Sequence, residues 1–154
     1  MTNPVDDFLH RVREKVDEAG VFGEIRIADG ILHCAARGSA APAWYRLQRA
    51  DGAWQVSLVT ADRWLSESIE ADLVHTGDPI EELIEEELAE LGHDGEPLAV
   101  SHFRSDDMLY TFRSPLPIGE ADEPAAIDAA ARALLAYEAA FRELGDLRSP
   151  AEAE

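Results

Sequence analysis

Apolar residues in this chain recur first at helical intervals and then at every second position through four short segments. Two of the reversals between those segments read Asp29-Gly30 and Asp51-Gly52. This order constrains the fold more than any other feature. An Asp-Gly pair between alternating apolar runs favours a two-residue hairpin turn, because both central positions need positive φ. Helical spacing then returns, followed by one more alternating pair and a closing helix. The order α-β-β-β-β-α-α-β-β-α implies an α+β domain in which helices cover an antiparallel sheet of hairpins.

The first helix starts at Asn3-Pro4, a capping side chain followed by proline, and aligns Val5, Phe8, Leu9, Val12 and Val16 on one stripe up to Gly20. Strands are expected over Phe22–Ala28, Ile31–Arg37, Ala43–Arg49 and Trp54–Val59, with Trp54, Val56 and Leu58 on one face. Thr60 is expected to cap a helix from Ala61 that carries Trp64, Leu65, Ile69 and Leu73 and stops at His75-Thr76-Gly77. Asp78-Pro79 repeats the cap-plus-proline signal ahead of Ile80, Leu83, Ile84, Leu88 and Leu91. Leu98–Phe103 and Met108–Phe112 form the third hairpin, Pro115 and Pro117 break the chain, and a helix runs from Pro124 to Leu144. Residues 1–145 are expected to make one domain, and residues 146–154 a disordered acidic tail.

The 154 residues are 46% hydrophobic, enough for a substantial core, yet the net charge is −19. That field favours solubility and repels phosphate backbones and anionic membrane surfaces, so neither nucleic acid nor a membrane is an expected partner. No apolar run approaches the ~20 residues of a membrane span, and the first fifteen residues lack a signal-type apolar stretch. A lone cysteine, Cys34, has no intrachain partner, and its alternating apolar setting suggests a buried, inert thiol. A reduced cytoplasmic location is the expectation.

Chemistry-bearing motifs are sparse. There is no G-x-S-x-G elbow, no H-E-x-x-H, no phosphate loop and no dinucleotide fingerprint, so no cofactor or metal is expected. Twelve carboxylates and no lysine or arginine lie between Trp64 and Phe103, with Glu81, Glu82, Glu85 and Glu86 on one expected helix. Two readings fit this acidic face: a cation or basic-partner site, and the solvated side of an amphipathic helix. The spacing does not match a calcium loop, which needs alternating ligands around a glycine. An alternative function, a small metal- or ligand-binding enzyme, would gather several of His93, His102, Asp106 and Asp107 at a hairpin end.

Aromatic residues suggest a different role. Trp44 and Tyr45 are adjacent on a strand and must point to opposite sheet faces, so one of them sits on the less covered side. Trp44, Tyr45, Trp64, Leu65, Ile69 and Leu73 are therefore the candidate partner- or dimer-binding residues.

The Pro4–Ala19 helix, the hairpins around Asp29-Gly30 and Asp51-Gly52, the Ala61–Leu91 helices, the Leu98–Phe112 hairpin and the Pro124–Leu144 helix together resemble the type III secretion chaperone-like fold. Secretion chaperones and the YbjN family share that fold. The resemblance is one of topology. It implies a homodimer without enzymatic activity that binds a polypeptide segment through apolar patches.

Overall fold

The computed structural model describes residues 4–37, 39, 41–50, 52–92, 98–105, 108–116, 118, 124–142, 144 and 147. Its elements follow the expected order: α1 (Pro4–Ala19), β1 (Ile25–Ala28), β2 (Ile31–Ala35), β3 (Ala43–Ala50), β4 (Ala53–Thr60), α2 (Arg63–Thr76), α3 (Ile80–Glu90), β5 (Ser101–Arg104), β6 (Tyr110–Pro115) and α4 (Pro124–Phe141). All six strands join one antiparallel sheet in the order β1-β2-β3-β4-β6-β5. The chain leaves β4 through α2 and α3, returns at the edge as β5, and turns back to place β6 against β4.

The turns behave as their chemistry requires. Asp29 and Gly30 have φ of 54° and 74°, the double left-handed geometry of the expected hairpin. Gly52 has φ of 79°, while its neighbour Asp51 lies outside the described residues. Registers set by these turns decide which side chains share a face, because a one-residue slip would invert every strand.

One face is covered. Ile25 and Ile27, Leu32 and Cys34, Tyr45 and Leu47, Trp54, Val56 and Leu58, and Phe112 line up across the strands and all belong to, or pack against, a single apolar core. From α1, Phe8, Leu9, Val12 and Val16 enter that core; from α4, Ala130, Leu134, Tyr137 and Phe141 do so. Phe8 meets Trp54 at 4.6 Å between ring centroids, and Phe141 meets Phe112 at 5.0 Å. The Tyr137 and Ser114 hydroxyls bond at 2.5 Å, which satisfies the polar end of a fully buried ring. α3 packs against α4 and turns Ile80, Ile84 and Leu88 into the same core.

Several local expectations are corrected. Asp62, not Thr60, caps α2: its carboxylate accepts the Leu65 N–H at 2.8 Å, and the helix begins at Arg63. Thr60 ends β4, where its hydroxyl donates to the Pro42 carbonyl and accepts the Asp62 N–H. Pro79 occupies the cap of α3 and makes no side-chain bond there, so proline sits one place earlier than the cap-plus-proline reading supposed. β5 begins only at Ser101, and Leu98 is buried in the segment before it. Pro115 closes β6 opposite Gln55 instead of breaking the chain before it. Beyond α4, Leu144 and Leu147 are both buried in the core, so packing reaches past the expected boundary at residue 145. Asn3 and the rest of the expected tail lie outside the described residues.

Candidate functional site

The six aromatic and aliphatic candidates separate into three places. Tyr45 is buried beneath α4 and tilts against Phe22 at 5.5 Å; burial holds its hydroxyl well above the ordinary tyrosine pKa, and Glu138 adds to the rise. Leu65 and Ile69 are core residues of α2, and Leu73 packs against that core from its edge. Trp64 projects the other way and is 74% exposed, as is Val74 at 82%. Ala71 is also exposed, and the spacings of seven and three residues place Trp64, Ala71 and Val74 along one flank of α2.

Trp44 stands on the second face of the sheet, which no helix among the described residues covers. Cross-strand pairing carries one row over that whole face: Arg26 opposite His33, His33 opposite Arg46, Arg46 opposite Ser57, Ser57 opposite Arg113, and Arg113 opposite Ser101. No strand position on this face is acidic, although the molecule carries 32 carboxylates. Glu24, just before β1, and Asp29, in the first turn, border it.

Two aromatic residues of this face each lie beneath an arginine. The Arg26 guanidinium lies 5.1 Å from the centre of the Trp44 ring, and that of Arg113 lies 4.8 Å from Phe103. Stacking of this kind keeps the outer N–H groups of a guanidinium open to a second ligand. Arg46, Gln48, Ser57, Thr111 and Arg113 line a concavity of about 170 Å³, closed on one side by Phe103, Ser105 and Leu109 of the β5–β6 hairpin. Val59 is buried here although it is separate from the main core, and Ser57 and Thr111 are buried beside it. His33 meets Trp44 edge-on at 6.2 Å. Burial lowers the His33 pKa, and the charges of Arg46 and Arg26 lower it further, so the imidazole is neutral at pH 7. Three arginines therefore supply the charge.

Sequence reasoning placed one of Trp44 and Tyr45 on the less covered side without saying which, and it did not assemble this row. The signal was present: between Gly30 and Thr60 the only acidic residue in the sequence is Asp51. Converting that acid-poor stretch into a surface requires the strand register.

The acidic face of α3 is largely solvated. Glu82, Glu85 and Glu86 are exposed and Glu81 is half-buried, while Ile80, Ile84 and Leu88 turn inward. Among the described residues, no three His, Cys, Asp or Glu side chains come together as a metal-holding group. His93, Asp106 and Asp107 lie outside the described residues. His102 pins α2 to the sheet: its ring stacks on Phe112 at 3.8 Å, Nδ1 meets the Thr111 carbonyl at 3.0 Å and Nε2 meets Glu70 at 2.8 Å. Both partners are acceptors, so the two bonds coexist when both ring nitrogens carry hydrogen. Cys34 is buried, and desolvation pushes its thiol up to about 12, in keeping with an inert thiol.

Compared with protein-family models, with curated proteins and with solved structures, the chain matches none. No helix among the described residues is long and apolar enough to cross a membrane.

Proposed function

We propose that this chain is a non-enzymatic polypeptide-binding module, chaperone- or adaptor-like, that acts in the cytoplasm as a homodimer. The observation that carries the reading is the flank of α2, where Trp64 is 74% and Val74 82% exposed beside Ala71. A tryptophan side chain can bury roughly 150–250 Å², worth several kcal/mol at about 25 cal/mol per Å². Such a residue left in water on a well-packed helix favours an association surface over a core role. The topological resemblance to secretion chaperones and the YbjN family supports the same function, and Trp44 on the open sheet face offers a second contact for a bound segment.

Light scattering on the purified chain tests the dimer. The expected result is twice the chain mass, falling to one chain mass in a Trp64→Glu, Val74→Glu double variant. A parent protein that stays monomeric up to high micromolar concentration removes the homodimer. A peptide array tests the polypeptide reading: failure of every peptide, whatever its composition, removes it.

A further inference from the structure

We infer that the open sheet face is a docking surface for an acidic polypeptide segment, whose carboxylates seat on Arg26, Arg46 and Arg113 while its backbone crosses the strands. This rests on the polypeptide-binding reading and names the chemistry of the partner.

Geometry sets the match. Neighbouring strands are about 4.8 Å apart, so Arg26, Arg46 and Arg113, each two strands from the next, stand about 10 Å apart along a row of about 19 Å. A polyproline-II segment repeats every three residues and rises about 3.1 Å per residue, which returns a side chain to the same side every ~9.3 Å. A segment with glutamate or aspartate at every third position thus places one carboxylate at each arginine. Ser57 and Thr111 line the floor between Arg46 and Arg113, and Gln48 lines the wall.

Charge makes the site selective. The exposed glutamates of α3 sit on the covered side of the sheet, at least one packed layer from the open face. Each layer adds about 8–10 Å, whereas exposed charges are screened beyond about 8 Å at physiological ionic strength. The strand positions of the open face contribute only the positive charge of its arginines, with Glu24 and Asp29 at its β1 border. A long polyanion cannot stay within that face, and the acidic remainder of the surface repels it. This favours a short acidic peptide over a nucleic acid.

Fluorescence anisotropy provides the test, with a labelled peptide that carries glutamate at every third position. Its lysine counterpart and a labelled single-stranded DNA serve as the other arms. The glutamate peptide is expected to bind and the other two are not, and raising the salt should weaken the complex. Arg26 is exposed, so Arg26→Glu leaves the fold intact; with Arg113→Glu added, affinity should fall about tenfold or more. Far-ultraviolet circular dichroism confirms that the variants are folded, and Arg26→Glu alone should still weaken binding severalfold. Equal binding of the DNA, or undiminished binding by folded Arg26→Glu, overturns the proposal. Should the glutamate peptide fail while non-acidic array peptides bind, the acidic docking surface falls and the polypeptide-binding module stands.

Discussion

Beneath α1 and α4 the sheet presents Leu32, Leu47, Val56 and Leu58, all sealed from water. On its reverse the same strands present Arg46, Gln48, Ser57 and Gln55. The backbone hydrogen bonding is shared, so the two faces differ only in side chains and in what covers them. The covered face obeys the hydrophobic effect, with close packing and few polar groups, among them Ser114 bonded to Tyr137. On the open face, Arg26 lies over Trp44 and Arg113 over Phe103. Stability and binding thus reside on opposite sides of one layer, and each can be altered separately.

The sharpest way to break this comparison is a paired truncation on one strand. Leu47→Ala removes a fully buried side chain of the covered face and should cost about 3 kcal/mol in urea unfolding. Its neighbour Gln48→Ala, on the open face, should change stability by about 0.5 kcal/mol or less. Similar costs at the two positions would mean that the reverse of the sheet is a second core.

An ion pair at the margin of the covered face gives a pH test. Burial raises the Glu138 carboxyl above its ordinary pKa, and Arg142, bonded to it at 2.5 Å, pulls the other way. The folded state therefore binds this proton more tightly than the unfolded chain, and the contribution of Glu138 to stability falls as pH rises through its folded pKa. Arg142 offsets that loss. Arg142→Ala should cost about 1–2 kcal/mol at neutral pH, with the cost fading on acidification as Glu138 takes up its proton. A cost independent of pH would contradict the assignment.

Register is what keeps the two faces distinct, and Gly30 helps to set it. With φ of 74°, an alanine there should cost about 1 kcal/mol, read as a lowered melting temperature. The smallest expected effect on stability is at Trp64, where a change to glutamate should shift unfolding by about 0.5 kcal/mol or less while altering the mass in solution. A large loss of stability would place Trp64 in the core of the single chain.

Most of the architecture was legible because several local signals agreed. Asp29-Gly30 set the first hairpin, the 8, 9, 12, 16 stripe marked α1, and alternation in Trp54, Val56 and Leu58 identified the covered side of β4. Boundaries were less legible where neighbouring residues compete for the same role. Thr60 and Asp62 are both good caps, and pairing of Thr60 with Ala43 and Tyr110 in the sheet left Asp62 to start α2. For the candidate surfaces, helical spacing alone could not separate Leu65 and Ile69, which face inward, from Trp64, which does not. The arginine row was hidden because its three arginines come from three strands, and its line exists only after pairing.

The three tryptophans provide the most direct test, since each reports one region: Trp54 the covered face, Trp44 the open face and Trp64 the flank of α2. Fluorine NMR of 5-fluorotryptophan-labelled protein would resolve all three during a titration with the glutamate peptide. The account predicts that the Trp44 resonance shifts while that of Trp54 stays fixed, and that dilution moves the Trp64 resonance. A peptide-dependent shift at Trp54 with Trp44 unmoved would contradict it.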